Sequence, residues 1–383
     1  MGIRKDKGFN LWVDCTHIWN NYTGLAVYTI SLLKGFKLYY PEIRVTTLLY
    51  EDSPYEEFER LVGHPLDIVL IPHTPNVKPT FLSHKLDRIR GRVFFEKLLE
   101  DRQIDRVLTP FLSWLPFVYP RKYRQCAIIH DLKPIEVARM TSRLEACKVS
   151  WWLKFLVRKI PFLITISAEI QRQVKTFANR ETTLVYNSLS LRDDLEPVPI
   201  ERVEGKRYIL CVNRFHRYKN AETLIRAFNK IKEGISHMLY LKGSDNPLED
   251  YLYLRDLVKC LGLDDRVIVD TEDRSQEQMA YLYKHAEMFV SPSRLEGFGY
   301  TPIEAAIYQV PVLVSDIGTF RDVTRGKFQM FNPDSADELA EMMLATLESP
   351  PSKEELAAIA AFFKQEYSLE RQMRQIVSLL EKE

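Results

Sequence analysis

The sequence predicts an α/β protein made of two parallel-sheet domains, and three observations carry that prediction. Short apolar runs alternate with longer segments of helical period, the mark of parallel strands joined by crossover helices. The alternation stops over 188–206, SLSLRDDLEPVPIERVEGK, and then restarts. The chain has 383 residues, 46% hydrophobic and 27% charged, enough for two cores at roughly 150 residues per domain.

In the first half the strands are FNLWVDC (9–15), VTTLLY (45–50), DIVLI (67–71), RVLTP (106–110), QCAIIHD (125–131), FLITIS (162–167) and TTLVYN (182–187). Such near-continuous apolar runs suit strands covered on both faces. Helical segments fall at 24–38, 84–100 and 141–160. The segment 188–206 is charged, carries two prolines and has no period, which reads as an interdomain linker. The predicted domains are 1–190, a linker at 191–206, and a C-terminal domain over 207–360.

The second half gives strands 207–213, 237–243, 266–270, 288–293 and 310–316, with helices over 220–233, 247–261, 275–286 and from 301. Five strands each followed by a helix form a Rossmann-like half, in which ligands sit at the carboxyl ends of the strands.

Composition excludes several classes. Aromatics at 11% exclude disorder, and 14 glycines exclude collagen. No apolar run approaches the roughly 18 residues of a membrane span. The start, MGIRKDKGFNLWVD, lacks the apolar stretch of a signal peptide and has Asp6 where a myristoylation signal needs Ser or Thr, so a cytoplasmic chain is expected. Cys15, Cys126, Cys147, Cys211 and Cys260 are scattered and odd in number, which argues against a disulfide framework or structural zinc. The net charge of +1 hides an asymmetry. Residues 1–190 hold 28 basic and 19 acidic side chains, and 191–383 hold 25 and 33. A basic half suits a membrane surface, a polyanionic ligand or nucleic acid, or is simply a solvated surface.

Four features carry chemistry. In SPSRLEGFGYTPIEAA (291–306) a strand end meets a glycine turn, and Thr301-Pro302 opens a helix. Backbone N–H groups there suit phosphate oxygens, while Glu296 and Glu304 accept hydrogen bonds from hydroxyls. Thr301-x-x-Glu304 also reads as a capping box. In NRFHRYKN (213–220), Arg214 and Lys219 can converge on a diphosphate, one as a fork and the other as a point charge. In IIHD (128–131), His130 and Asp131 end an apolar strand, where an imidazole donates to or accepts from a substrate hydroxyl. In NNYTGLAVYT (20–29), Gly24 permits close backbone approach at a helix start. No Walker, zincin or other metal motif is present.

Taken in order, these features resemble the family 4 glycosyltransferases of the GT-B fold, and most closely the bacterial mannosyltransferases of O-antigen and polysaccharide assembly. The likeness rests on TGLAVYT (23–29), IIHDLKP (128–134), ITIS (164–167), VYNS (185–188), NRFHRYKN, SRLEGFGYTPIEA and YSLER (367–371). It implies two Rossmann-like domains facing each other across a cleft, with a C-terminal helix, 361–383, crossing back to the N-terminal domain. It implies a nucleotide-sugar donor held mainly by the C-terminal domain, a glycan or lipid-linked glycan acceptor on the N-terminal domain, retention of configuration, and no metal or other cofactor. By position, Arg214 and Lys219 bind the diphosphate and Glu304 the ribose. Glu296 with Gly297, Phe298 and Gly299 holds the donor sugar, and Gly24 lies against phosphate or sugar. His130, with Asp131 beside it, contacts the reacting centre. The sequence departs from the family at Ser188, in AAIYQVPV (305–312), and at Arg321-Asp322, where glycine, a glycine turn and Pro-Glu are usual.

The segment KVSWWLKFLVRKI (148–160) bears on the acceptor. At 100° per residue, Lys148, Lys154, Arg158 and Lys159 share a side with Trp151, Trp152 and Phe155, and the aliphatic residues take the other. Such a face suits an anionic membrane interface, the inner face of the cytoplasmic membrane, or burial under a neighbouring helix. The leading expectation is a hexosyltransferase using GDP-mannose. The alternatives are a UDP- or dTDP-sugar donor, a sugar-nucleotide epimerase on the same architecture, or a basic membrane- or nucleic-acid-binding protein. The C-terminal motifs address a sugar nucleotide, so no nucleic-acid partner is expected.

Overall fold

A computed structural model describes residues 8–18, 24–72, 83–112, 119–120, 122–132, 142–189 and 194–382. Residues 20–23 of the glycine turn, 133–134 after the His130 strand and 191–193 of the expected linker lie outside them. The chain forms two compact units, Met1–Ser190 with Leu369–Glu383, and Leu191–Ser368.

The first unit is built on β1 (Asn10–Asp14), β2 (Arg44–Tyr50), β3 (Asp67–Ile71), β4 (Arg106–Thr109), β5 (Arg124–Ile129), β6 (Phe162–Thr165) and β7 (Thr183–Leu184). Their order is β3-β2-β1-β4-β5-β6-β7, with every pair parallel. The central strands are buried on both faces, as their unbroken apolar sequences require. The helices are α1 (Gly24–Tyr39), α2 (Tyr55–Val62), α3 (Ser83–Asp101), α4 (Arg143–Lys159) and α5 (Ala168–Ala178). Two of these, α2 and α5, are additions to the sequence reading. The first buries only Phe58 and Val62, too little to show a period. The second is capped by Ser167, whose side chain accepts from Ile170 N, and buries Ile170, Val174 and Ala178 at helical spacing.

The second unit contains β8 (Tyr208–Val212), β9 (Met238–Lys242), β10 (Val267–Asp270), β11 (Met288–Ser291), β12 (Val312–Ser315) and β13 (Gln329–Phe331), in the order β10-β9-β8-β11-β12-β13. The sixth strand has three residues and no apolar run to announce it, so the sequence reading stopped at five. Its helices are α6 (Ala221–Ile231), α7 (Leu248–Cys260), α8 (Gln276–Lys284), α9 (Tyr300–Ile307), α10 (Gly318–Val323), α11 (Ala336–Glu348) and α12 (Lys353–Glu366).

The boundaries differ from the sequence reading. Residues 194–206 belong to the second unit, with Ile200 and Val203 buried and Val198 N donating to Glu277 O at 3.1 Å. The segment 361–383 is not one helix. Residues up to 368 stay with the second unit, where Phe363 and Tyr367 are buried and the Tyr367 hydroxyl donates to Val323 O at 2.6 Å. The last helix, α13 (Leu369–Glu381), joins the first unit and packs on α1. A Cβ at Gly35 would sit 2.5 Å from Met373 Cγ, so glycine is what lets the two helices approach.

Candidate functional site

In the second sheet β8 is followed by a crossover in one direction to β9, and the chain then returns to place β11 on the other side of β8. This reversal leaves a crevice at the carboxyl ends of β8 and β11, the place where open α/β sheets bind ligands. The motifs NRFHRYKN (213–220) and SPSRLEGFGYTPIEAA (291–306) form the loops leaving these two strands. The loop after β8 runs through a short 3-10 turn, Arg217–Lys219, into α6. The loop after β11 runs through Ser293 and Glu296 to α9.

The loops are tied together. Arg294 N donates to Tyr218 O at 2.8 Å. Asn220, 2% exposed and left-handed at φ 60°, donates to Pro292 O at 2.9 Å and to Pro333 O at 2.8 Å. Its Oδ1 accepts from Thr223 and Arg294. Lys219 is thereby held so that its ammonium donates to Glu296 Oε1 at 2.5 Å, with side-chain exposures of 13% and 7%. The backbone of Glu296 is fixed in turn by Thr319, whose hydroxyl donates to Glu296 O at 2.8 Å. Arg214 is exposed and makes no ion pair or hydrogen bond among the described residues.

The glycine turn has a steric cause. Gly299 lies at φ 82°, and a Cβ there would sit 2.4 Å from Phe320 Cε1. The cap differs from the expectation. Gly299 is the N-cap and Tyr300 the first helical residue, so Thr301 lies inside the helix and no side-chain cap bond forms. Glu304 is used otherwise: its Oε2 accepts from the Tyr283 hydroxyl at 2.7 Å. Burial raises the pKa of the Glu304 carboxyl above the ordinary glutamate value, while the tyrosine bond opposes the rise. Tyr283 is stacked on Tyr308 with centroids 5.5 Å apart.

The first sheet has its own reversal, between β1 and β4. His130 and Asp131 follow β5 and are half-buried. His130 Nε2 lies 2.8 Å from Pro110 O, just after β4. A carbonyl only accepts, so this network assigns the proton to Nε2. Tyr28, on α1, meets the His130 ring edge-on at 4.6 Å. Gly24 is the first residue of α1 and is exposed. Asp14, the last residue of β1, and Thr16 and His17, which follow it, are further polar residues here that no motif announced. Their only signal was position, three polar residues at the end of a buried strand. Asp14 Oδ1 accepts from Thr16 N at 3.1 Å and from its hydroxyl at 2.7 Å. Asn220, Arg294, Thr319 and Tyr283 were also missed in the second unit. Among the described residues no group of three or more His, Cys, Asp or Glu could hold a metal ion.

Residues 193–361, nearly the whole of the second unit, match the family model for glycosyl transferases group 1. Over that segment the chain is similar to the group 1 glycosyltransferases. It is 28% identical over 219 residues to the O-antigen chain mannosyltransferase RfbU of Salmonella typhimurium, covering 56% of this chain and 58% of that protein's length. It is 22% identical over 271 residues to the lipopolysaccharide core biosynthesis mannosyltransferase LpsB of Rhizobium meliloti, covering 66% and 75%. In fold it is similar to a sucrose-phosphate synthase from Thermosynechococcus elongatus, with a TM-score of 0.75 at 18% identity over 97% of this chain and 99% of that one. It is similar too to HepE of Anabaena, solved with UDP and glucose, with a TM-score of 0.73 at 14% identity over 97% and 99%.

Within this glycosyltransferase fold the three departures from the family pattern have local causes. Ser188 donates to Gln372 Oε1 at 2.8 Å and so fastens α13. Gln309 takes the left-handed turn at φ 60° that glycine usually fills. Arg321 forms a two-pronged pair with Asp316, a surface contact at the end of β12.

Proposed function

We propose that this protein is a glycosyltransferase that moves a hexosyl residue, mannose from GDP-mannose, onto a glycan or lipid-linked glycan in polysaccharide assembly, with retention of configuration. The observation that carries the reading is the convergence of Lys219 and Glu296 at the reversal point of the second sheet, 2.5 Å apart. Breaking a sugar–phosphate bond develops positive charge on the sugar carbon and negative charge on the diphosphate. Fixed cations at the leaving group therefore lower the barrier more than they tighten ground-state binding. Lys219 is the buried cation and Arg214 the exposed one, and the proposal includes no resident metal or other cofactor.

Glu304 takes the ribose. Its Oε2 is occupied by Tyr283, which leaves Oε1 for the hydroxyls. Gly297, Phe298 and Gly299 hold the donor sugar, and Glu296 acts by holding Lys219 and by its charge. In the same reading His130, with Asp131 next to it in sequence, contacts the sugar and reacting centre, and Gly24 lies against phosphate or sugar. The donor is proposed as GDP-mannose because two relatives, RfbU and LpsB, are named mannosyltransferases.

Contact of the basic first unit with an anionic membrane belongs to the same reading. Trp151 is 71% exposed and stacks on Phe155, while Leu153, Leu156 and Val157 are buried. No helix among the described residues is long and apolar enough to cross a membrane. The proposed place of action is the inner face of the cytoplasmic membrane.

A thermal-shift screen of GDP-, UDP-, dTDP- and ADP-sugars tests the donor. A ligand at 100 times its Kd stabilises by about 2.7 kcal/mol, so GDP-mannose should raise Tm and the others should not. A larger shift with a UDP-sugar replaces the donor, and no shift with any removes the reading.

A further inference from the structure

His17 lies in the loop after β1, its ring against Phe111 with centroids 4.4 Å apart. Phe111 follows β4, so the contact joins the two loops at the reversal point of the first sheet. His17 Nε2 is 2.9 Å from Thr29 Oγ1. The Thr29 hydroxyl donates its one hydrogen to Leu25 O at 3.0 Å, so toward His17 it can only accept. The network therefore assigns the His17 proton to Nε2 and leaves a lone pair on Nδ1. That Nδ1 is buried and has no hydrogen-bond partner among the described residues.

Charge does not alter this. Burial, with His130 nearby as a lesser cause, pushes the His17 pKa down to about 3, so the ring is neutral in ordinary buffers. His130 has the same tautomer, its Nε2 spent on Pro110 O. A neutral imidazole thus lies at the loops after β1 and β4 with Nδ1 of His17 as a hydrogen-bond acceptor. An ionised diphosphate brings no hydrogen to such an acceptor, whereas a sugar hydroxyl does.

We propose that His17 is a binding residue for the glycan acceptor, its Nδ1 accepting a hydrogen bond from an acceptor hydroxyl. Naming the ligand an acceptor glycan rests on the transferase reading above; the hydroxyl-donor chemistry of the site does not. Thr29 is the positioning residue, since it fixes the tautomer that leaves the lone pair on Nδ1.

The test is nitrogen NMR of the full chain with 15N-labelled histidine, titrated in turn with methyl α-mannoside, methyl α-glucoside, methyl α-galactoside and inorganic phosphate. The expected result is a neutral Nε2–H tautomer for His17 at pH 7 and an Nδ1 resonance moved by at least one glycoside. His17→Phe keeps the packing on Phe111 and should bind that glycoside about tenfold more weakly, the loss of one buried hydrogen bond. His17→Asn returns an acceptor oxygen and should recover part of the loss. Thr29→Val should release the tautomer. A proton on Nδ1, an Nδ1 that no glycoside moves, or a response to phosphate alone overturns the proposal. If a glycoside moves Nδ1 while no sugar nucleotide shifts Tm, the glycan site stands and the transferase reading falls.

Discussion

Lys219 Nζ lies 2.5 Å from Glu296 Oε1, although the two residues are 77 apart in sequence. The sequence reading gave them separate duties, one to the diphosphate and one to the sugar; the structure couples them. Removing one partner of a buried pair strands the other charge, at about 3–5 kcal/mol. Lys219→Ala should therefore lower Tm as well as abolish transfer, and Glu296→Ala should do the same. The paired change Lys219→Met/Glu296→Gln should restore much of the stability and none of the activity. Thermal unfolding and turnover of the three variants provide the check. Additive losses of Tm would show that the pair is not coupled, and unchanged turnover in Lys219→Ala would remove the diphosphate assignment.

Asn220 sets where Lys219 points. Its amide nitrogen satisfies the carbonyls of Pro292 and Pro333, and its backbone is left-handed. Asn220→Gly keeps the backbone freedom but leaves the Pro292 carbonyl unpaired, at about 1–3 kcal/mol, and Pro333 O with only the 3.3 Å bond from the Thr223 hydroxyl. Asn220→Ala adds the strain of a positive φ, so the expected Tm order is parent, Gly, Ala. Because the residue acts through Lys219, both variants should lower kcat more than they raise the donor KM. Equal stability of Gly and Ala variants would contradict the backbone argument.

The legibility of the sequence followed the physics of each element. Strands buried on both faces are unbroken apolar runs, so β1 to β6 and β8 to β12 could be placed from composition alone. β13 has three residues, and Gln329 at its head is exposed; its stability comes from pairing with β12, which no local signal reveals. The second-unit loops were legible because their residue types are unusual at strand ends. Their coupling was not, since it depends on β11 returning to lie beside β8. Thr301-Pro302 illustrates the opposite error. The local cap signal was good, but Gly299 can adopt φ 82° and starts the helix two residues earlier. The linker was misjudged because its prolines and charges look mobile, while only Ile200 and Val203 carry the burial that fixes it.

The outward side of α4 can be tested directly. Trp151 and Trp152 are 71% and 42% exposed, Phe155 is 36% exposed, and Lys148, Arg158 and Lys159 are exposed beside them. Aromatic rings partition into the headgroup region, and each nearby cation adds about 1 kcal/mol on an anionic leaflet. Trp151→Glu/Trp152→Glu should weaken binding to anionic vesicles by about tenfold or more. Because neither ring is buried, Tm should be unchanged within about 0.5 kcal/mol of stability. Co-sedimentation with anionic and with neutral vesicles separates the aromatic from the electrostatic part. Equal sedimentation of variant and parent would leave α4 without a membrane role.

Glu287 provides a pH test of the second unit. Arg207 grips it through two bonds of 2.6 and 2.8 Å, and His237 Nε2 lies 2.9 Å from the same carboxylate. The Arg207 bonds, and then His237, hold its pKa down at about 2, below the ordinary 4.5. A depressed carboxyl pKa means the unfolded chain takes up the proton first as pH falls. The contribution is therefore complete above about 4.5, declines between there and about 2, and is absent below. The carboxylate is 37% exposed and Arg207 56%, so solvent screens the pair and its contribution is small. Glu287→Gln should lower Tm by a few degrees at pH 7, by less at pH 3, and the gap should narrow with added salt. A gap between variant and parent that stays constant from pH 7 to pH 3 would show that the carboxylate charge is not what Arg207 and His237 hold.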